Sequence, residues 1–272
     1  MPSNFENIAI INDTLATIKK DAALTESVQK SIQSQEYHFG DVAKPEPRFT
    51  DECKVVVSKS SSFDAARKYG GKVAVLNFAS ATNPGGGVLN GSNAQEECLC
   101  RCSTLFECLS IPEAMDKFYT PHRNGLSPLH NDDIIYTPDV VIFKSDAYNK
   151  LFQNKTVDVI TCAAPNLREK PGNRYNQEAR QNKVEITDAA LYELHVQRAR
   201  QIFNVAAQHE ADTIILGAFG CGAFRNDPVT VAKAYYDVVK EYRNHFKNIE
   251  FAVFCGREST NYDVFNAQFK EV

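Results

Sequence analysis

The chain has 272 residues, of which 43% are hydrophobic, so it can bury a substantial core and is not disordered overall. Its formal net charge of −4 provides no global attraction for nucleic acid, although this number does not exclude a local basic patch. The first residues lack a secretory pattern and no apolar run approaches the roughly 20 residues of a membrane span, which predicts an intracellular protein, cytoplasmic or nuclear, without a membrane partner.

Two segments near the N-terminus carry apolar side chains at helical spacing. They are residues 8–19 and 24–35, and the sequence Pro45-Glu46-Pro47 interrupts the pattern after them. The sequence therefore predicts an N-terminal helical extension over residues 1–47, packed on a larger domain over residues 48–272.

Strand and helix patterns alternate along the rest of the chain. Strands are predicted at 54–58, 73–79, 134–136, 140–143, 157–162, 213–217 and 250–254, and helices at 63–68, 95–109, 189–208, 228–242 and 262–269. Several apolar strands separated by helices indicate a central sheet that helices cover on both faces. The predicted fold class is α/β.

Four of the eight cysteines, Cys98, Cys100, Cys102 and Cys108, lie close together in the sequence. A metal site is one interpretation, but helical spacing puts Cys98 and Cys102 on one face and Cys100 off it. No CxxC pair or nearby histidine completes a tetrahedral set of ligands. The cysteines sit in apolar contexts, so we predict reduced thiols and no metal site.

Three loops are candidates for ligand binding because each follows a predicted strand. These loops are Ala81 to Asn93, Ala163 to Asn166 and Gly217 to Asn226. Ligands in such sheets bind beyond the carboxyl ends of the strands. The third loop joins a strand to a helix that begins at Pro228, so its glycines and the helix start predict an anion cradle. An ordinary structural turn is the alternative.

The most informative motif is the run Asn83-Pro84-Gly85-Gly86-Gly87, followed seven residues later by Gln95-Glu96-Glu97. Three consecutive glycines let backbone approach a ligand closely, and the glutamates suit general acid and base chemistry. The spacing Ser92-x-x-Gln95 predicts a capping box, which places both glutamates in the first turn of a helix. The helix dipole favours ionised carboxylates there, so a purely structural role as dipole partners is the alternative.

This order of motifs resembles the microbial type of poly(ADP-ribose) glycohydrolase. The resemblance rests on the triple glycine, the seven-residue spacer and Gln-Glu-Glu, and it includes residues 77–84, 163–165 and 220–224. It extends from Phe49 to the C-terminus. It implies a macrodomain-like fold with a mixed sheet between helices, an ADP-ribose ligand and a catalytic insertion that carries the glutamates.

The resemblance also implies roles for individual residues. Glu97 corresponds to the catalytic acid, and Glu96 to a residue that positions ribose hydroxyls. Asn83 and Gln95 are expected around the same ribose, whereas no motif assigns the adenine contacts. The remaining substrate contacts that the resemblance implies are Gly85, Gly86, Gly87, Gly220, Cys221, Gly222, Ala223 and Phe224.

The implied activity is hydrolysis of ribose–ribose O-glycosidic bonds of poly(ADP-ribose) from the chain end. The enzyme would be a monomer that needs no cofactor and releases ADP-ribose. Such a reaction passes through an oxocarbenium-like state, and the alkoxide leaving group needs a proton from a positioned acid. Two alternatives stay open: a non-catalytic ADP-ribose reader, and a hydrolase that removes mono-ADP-ribose from modified protein or nucleobase.

Two histidines and one polar stretch have their own interpretations. His122 and His130 flank Asn124-Gly125 and Pro128, which predicts loop surface rather than a metal site. The stretch Arg168 to Lys183 is predicted to be a solvated loop. Its alternative role is a clamp on substrate phosphates or a cover over the adenosine.

Overall fold

The chain begins with two helices and a short strand in the computed structural model, which describes residues 3–125, 127–145, 147–175, 184–255 and 259–270. Ser3 starts α1 (Asn4–Lys20) with a capping box, and the Asp21 carboxylate caps α2 (Ala22–Gln33). The strand β1 (Glu36–His38) was not predicted, because its sequence has no clear alternation and it forms by pairing with a later strand.

Seven strands within the described residues form one mixed sheet. The others are β2 (Lys54–Ser58), β3 (Val73–Phe78), β4 (Ile134–Lys144), β5 (Lys150–Cys162), β6 (Thr213–Leu216) and β7 (Asn248–Ala252). Their order across the sheet is β1-β4-β5-β3-β6-β7-β2. The β1–β4 and β4–β5 pairs are antiparallel, and all the other pairs are parallel.

Helices cover both faces of this sheet. After α2 they are α3 (Ser62–Ala66), α4 (Gln95–Cys102), α5 (Leu105–Leu109), α6 (Pro112–Ala114), α7 (Thr120–Asn124), α8 (Asp188–Gln208), α9 (Pro228–Glu241) and α10 (Thr260–Gln268). A 3₁₀ turn at Val88–Asn90 and a π turn at Met115–Tyr119 connect some of them. In the part of the chain that the structure describes, no helix has both the length and the apolarity to cross a bilayer.

Alternate side chains of β3 enter two separate cores, which explains its continuous apolar sequence. Ala74 and Leu76 pack with the buried faces of α8 and α9, whereas Val73 and Val75 pack with α3, α4 and α5. The sheet is therefore the middle of three layers. The predicted α/β class, with a macrodomain-like mixed sheet between helices, is confirmed.

Two predicted elements differ from the structure for reasons that lie in tertiary contacts. The helix predicted over 95–109 is split, because Ser103 leaves helical geometry to bridge to Ile142 of β4. The two strands predicted at 134–136 and 140–143 are one strand, in which Asp139 has a φ of 55° at an irregularity in the pairing with β5.

The N-terminal helix α1 packs against the segment that carries the paired glutamates. The Asn7 side-chain amide donates to the carbonyl oxygen of Gly91 over 3.0 Å, and the Thr14 hydroxyl donates to that of Arg101 over 2.7 Å. Both contacts are buried. Helix α1 therefore supports the loop that contains Gly91. The division of the chain at residue 47 stays a prediction.

Candidate active site

One cavity of about 1200 Å³ lies at the carboxyl ends of the parallel strands. The three loops predicted to bind ligand, Ala81 to Asn93, Ala163 to Asn166 and Gly217 to Asn226, all contribute to its wall. Parallel strands that point the same way bring their following loops to one edge, so this convergence is a consequence of the topology. The cavity is large enough for a nucleotide-sized ligand.

The glycine run forms a tight turn at the cavity wall. Gly85 and Gly86 have φ values of 65° and 59°, which favour glycine. The Asn83 carbonyl accepts from the Gly86 N–H over 3.0 Å, and the Asn83 side-chain amide donates to the Gly86 carbonyl. Asn83 therefore holds the turn while lining the cavity.

The turn packs directly against both glutamates. A Cβ atom on Gly86 would lie 2.6 Å from Oε1 of Glu97 and 3.0 Å from Oε2 of Glu96. On Gly87 a Cβ would lie 2.2 Å from the Ser92 hydroxyl. The close approach of backbone to carboxylate thus requires glycine. Gly86 and Gly87 line the cavity, whereas Gly85 lies behind the wall, where a Cβ would lie 2.7 Å from the Phe106 ring.

Glu97 is 7% exposed and faces the cavity from the first turn of α4. Its Oε1 accepts from the Gly87 N–H over 2.8 Å and its Oε2 from the Ala94 N–H over 3.0 Å. The predicted capping box from Ser92 to Gln95 is wrong. The helix cap lies two residues later than that spacing requires, because Ala94 is the N-cap and Glu97, in place of Gln95, supplies the reciprocal carboxylate bond.

Glu96 is 3% exposed and lies beside Glu97. Its Oε2 accepts from the Ser80 N–H over 2.7 Å, and its Oε1 lies 3.4 Å from the Asn77 side-chain nitrogen. Burial, followed by the negative charge of Glu97, raises the pKa of Glu96 well above its ordinary value. Burial therefore favours a retained proton on this pair of carboxyl groups at pH values at which an exposed glutamate is ionised.

Gln95 lines the cavity, but its side-chain amide forms hydrogen bonds with the backbone of β3. The pairing of β3 with β6 ends at Val75. Beyond this residue, the backbone groups of β3 on the edge that faces β6 form hydrogen bonds with the Gln95 side chain. Its Nε2 donates to the Leu76 carbonyl over 2.7 Å, and its Oε1 accepts from the Phe78 N–H over 2.9 Å. The amide continues the ladder of β3 and joins the start of α4 to it.

Residues of the loop from Gly217 to Asn226 line the same cavity. Gly220 has a φ of 78°, and Gly222 and Ala223 are exposed. The N–H groups of Gly220, Gly222 and Ala223 donate to no acceptor among the described residues. The start of α9 contributes less than predicted, because the Asp227 carboxylate already accepts from the Thr230 N–H there.

Two buried residues that the sequence interpretation missed support this loop. Asn226 donates through Nδ2 to the carbonyls of Pro165, at 2.7 Å, and Gly220, at 3.1 Å. Its Oδ1 lies 2.8 Å from Nε2 of His195. His195 lies in α8, where its position resembles that of a core residue, so the sequence carries no separate signal for it. Burial lowers the pKa of His195 to about 4.

The other predicted site residues differ in their positions. Phe224 lines the cavity, with the Arg168 guanidinium 5.5 Å from its ring centre. Cys221 does not line the cavity but packs on the core, where burial raises the pKa of its thiol. The predicted place of Cys221 in a diphosphate-binding loop concerns its backbone and stays a prediction.

Of the two histidines predicted to lie on a loop surface, His122 is in a helix and buried, whereas His130 is on a loop and partly buried. His122 is buried in α7, between the Phe118 carbonyl and the Asn131 side chain, each at 2.7 Å. His130 lines the cavity, and its ring centre is 6.5 Å from that of Phe224. The position of His130 depends on a contact with a segment that is distant in the sequence.

The polar stretch from Arg168 to Lys183 is described only in its first half. Arg168, Asn173, Arg174 and Tyr175 line the cavity, and Asn173 donates to the Thr82 hydroxyl over 2.8 Å. These positions favour the alternative role, a contact with substrate, for residues 168–175. Residues 176–183 lie outside the described residues.

Comparison with known proteins identifies the family. The family model described as "Microbial-type PARG, catalytic domain" matches residues 6–145. Poly(ADP-ribose) glycohydrolase from Thermomonospora curvata is 26% identical, with a TM-score of 0.82 over 97% of this chain and 100% of that one. The enzyme from Deinococcus radiodurans in complex with ADP-ribose is 31% identical, with a TM-score of 0.74 over 89% and 96%.

A second structure of the T. curvata protein, bound to the inhibitor ADP-HPD, has a TM-score of 0.81 at 26% identity, over 97% of this chain and 100% of that one. No match is found among curated proteins. The family match spans more than half of the chain, and the structural matches span nearly all of it. The chain therefore belongs to the microbial-type poly(ADP-ribose) glycohydrolases, which are glycosidases.

Proposed function

We propose that this chain removes terminal ADP-ribose units from poly(ADP-ribose), with Glu97 as the general acid and base. One observation supports this most strongly: the buried Glu97 carboxylate and the N–H groups of the Gly220 loop border the same cavity. A phosphate on that loop would place the attached ribose toward α4. A single ligand in this cavity can therefore contact both the loop and the carboxylate.

Glu97 performs two proton transfers in this proposal. As the glycosidic C–O bond breaks, its carboxyl group gives a proton to the leaving ribose oxygen, and the anomeric carbon develops oxocarbenium character. The resulting carboxylate then takes a proton from the water that attacks this carbon. The products are free ADP-ribose and a polymer that is one unit shorter, and Glu97 regains its proton.

Glu96 orients the substrate rather than transferring the proton. Its raised pKa gives a neutral carboxyl group, which can both donate and accept a hydrogen bond with a ribose hydroxyl. An ionised Glu96 would be repelled by a substrate diphosphate. A neutral Glu96 avoids this repulsion, and the Ser80 N–H keeps its carboxyl group in place.

The substrate diphosphate is assigned to the Gly220 loop. Its N–H groups are preorganised, because Asn226 holds the loop through the carbonyls of Pro165 and Gly220. Preorganised donors bind an anion without the cost of ordering the loop at the moment of binding. Gly86 and Gly87, which also line the cavity, allow the ribose to lie against backbone.

The Glu97→Gln variant tests the assignment with long poly(ADP-ribose) as substrate. We expect turnover to fall by on the order of a hundredfold or more, with ADP-ribose affinity kept, because the amide cannot transfer the proton. Glu193→Gln, an exposed carboxylate change on α8, is the matched control and should leave turnover unchanged. Equal activity of Glu97→Gln and the native protein would contradict the role of Glu97.

The products distinguish the other functions. Release of ADP-ribose alone indicates action at the chain end, whereas early release of oligomers indicates internal cleavage. Binding of ADP-ribose with the polymer and all modified targets left intact would establish a reader. An intact polymer together with release of ADP-ribose from mono-modified protein or nucleobase would establish the other hydrolase.

The intracellular location and the monomeric state stay proposals. The location is tested by cell fractionation of the native protein. Sedimentation equilibrium over a range of concentrations tests the oligomeric state, and a mass near the 30.4 kDa of one chain is the expected result.

A further inference from the structure

A second group of potential ligand residues lies at the edge of the sheet formed by β1. Glu36 and His38 are two residues apart on this strand, so their side chains share a face. His209 immediately follows α8 and approaches the same point. Oε2 of Glu36 is 3.7 Å from Nε2 of His38 and 3.4 Å from Nε2 of His209. None of the three residues lines the cavity that holds Glu97.

We propose that Glu36, His38 and His209 bind a divalent transition-metal ion, for which Zn²⁺ is the best chemical match. One potential ligand atom from each residue lies within 4.8 Å of the other two. Two imidazoles and one carboxylate form a mixed nitrogen and oxygen donor set that suits this ion. Glu36 is half exposed on its side chain, which leaves the remaining coordination position to water.

The separations fit an ion better than they fit hydrogen bonds. Metal–ligand distances of about 2.0–2.2 Å in a tetrahedral arrangement place neighbouring ligand atoms about 3.4 Å apart. Oε2 of Glu36 is at this distance from His209 and slightly beyond it from His38. A small side-chain rotation would complete the geometry.

His38 supplies an independent observation. Its Nε2 atom is buried and has no hydrogen-bond partner among the residues that the structure describes. A buried polar nitrogen without a partner is unfavourable, and such atoms are rare in folded proteins. Coordination of an ion between the three side chains would satisfy this atom.

The surroundings of His209 hold its imidazole in place. Its ring stacks on that of Tyr136 from β4, with ring centres 3.6 Å apart and planes inclined by 10°. The Tyr136 hydroxyl in turn donates to Asp158 over 2.5 Å. The nearby Lys72 amine lies 3.4 Å from the Asp158 carboxylate, and this carboxylate offsets the positive charge of Lys72. Outer contacts of this kind orient metal ligands in proteins.

An ion at this position would join the N-terminal segment to the rest of the protein. Glu36 and His38 belong to a three-residue edge strand, and its pairing with β4 is its only ladder within the described chain. His209 is distant from them in the sequence and lies between α8 and β6. The expected effect is therefore on the stability of the fold and not on the chemistry in the cavity.

Co²⁺ and Zn²⁺ test the proposal on the full-length, tag-free protein after treatment with a chelator. We expect one equivalent of Co²⁺ to bind and give the visible absorption bands of a tetrahedral site. Zn²⁺ at a hundredfold excess over its Kd should raise the Tm by roughly 5 °C. His38→Ala and His209→Ala should each weaken binding by on the order of a hundredfold.

The control variant is Glu193→Gln, which removes an exposed carboxylate from α8 and should bind Co²⁺ like the native protein. The chelator-treated histidine variants should unfold cooperatively, which shows that lost binding is not lost folding. Binding that persists in the His38→Ala/His209→Ala double variant would place the ion at other residues and overturn the proposal. Absence of any one-to-one binding by the native protein would also overturn it.

Discussion

The backbone N–H of Gly87 donates a 2.8 Å hydrogen bond to Oε1 of Glu97. The glycine run and the paired glutamates are therefore one structural unit, although seven residues separate them. Arg101 joins the spacer to α4, because its guanidinium donates to the Ser92 carbonyl over 2.6 Å and to the Asn93 side chain over 2.5 Å. The length of the spacer is the length needed to return the chain from the turn to the start of α4.

Gly86→Ala tests how tightly this unit is packed. Gly86 has a φ of 59°, and a Cβ there would lie 2.6 Å from Oε1 of Glu97, so the carboxylate or the turn has to move. Misplacement of a catalytic group by about 1 Å costs on the order of a hundredfold in rate, and we expect this loss in turnover. Steady-state release of ADP-ribose from polymer is the measurement.

The matched control for this change is Gly70→Ala. Gly70 is exposed, its φ is not in the left-handed region and no atom lies within 4 Å of the added Cβ. Its turnover and stability should equal those of the native protein. If Gly86→Ala is as active as Gly70→Ala, then the contact between the glycine turn and Glu97 has no role in catalysis.

Gln95→Ala tests whether Gln95 acts by holding the start of α4 on the sheet and not by taking part in the reaction. The change leaves the Leu76 carbonyl and the Phe78 N–H of β3 without their partners, which should cost about 1–3 kcal/mol of unfolding free energy. Because Gln95 joins the start of α4 to the sheet, we also expect a lower kcat with a smaller change in KM. Urea unfolding and steady-state kinetics measure the two effects.

Gln33→Ala, at an exposed position in α2, is the comparison for this change and should alter neither quantity. A Gln95→Ala protein of native stability would show that other groups, such as water, replace the amide in the ladder.

The sequence was sufficient to predict those parts of the fold that depend on local pattern. The strand β3 is a continuous apolar run followed by glycines, and its position and the loop after it were predicted within a residue. The triple glycine and the glutamates were linked by their spacing alone. Their convergence on the Gly220 loop followed from the parallel topology.

The features that were missed depend on partners distant in the sequence. Ser103 interrupts a good helical pattern because β4 offers it a bridge, and β1 exists only through pairing with β4. His195 and Asn226 meet across 31 residues, and neither has an unusual local sequence. Gln95 matched a motif, but its bonds to the sheet could not be read from that motif.

His195 should make stability depend on pH. Its folded pKa of about 4 lies below the ordinary histidine value of 6.5, so the unfolded chain binds more protons between these values. Its contribution is therefore fully present above pH 6.5 and is lost as the pH falls toward 4. The loss should be about 3 kcal/mol for this buried group, because each unit of pKa is worth about 1.4 kcal/mol.

His195→Gln should remove this part of the acid sensitivity while keeping a donor for Asn226. The measurement is the free energy of unfolding of both proteins between pH 4 and 7. Other groups also titrate in this range, so the difference between the two proteins is the informative quantity. A difference that does not change with pH would show that His195 is protonated equally in the folded and unfolded states.

Glu96 should have the opposite dependence, because its pKa is raised by burial and by Glu97. The folded chain then holds a proton that the unfolded chain loses above its ordinary pKa of 4.5. The native protein loses stability as the pH rises through the folded pKa. Glu96→Gln has no such proton, so its stability relative to the native protein should increase as the pH rises from about 4.5.

The same variant also distinguishes the two glutamates in the reaction. A glutamine resembles the neutral form of Glu96 in shape and retains a donor and an acceptor, so turnover should fall less in Glu96→Gln than in Glu97→Gln. The measurements are urea unfolding across pH and release of ADP-ribose. A stability difference that is constant from pH 4.5 to 8 would mean that Glu96 is ionised in the folded protein. Proton transfer would then have to be reconsidered for the pair as a unit, since two adjacent ionised carboxylates would face the substrate diphosphate.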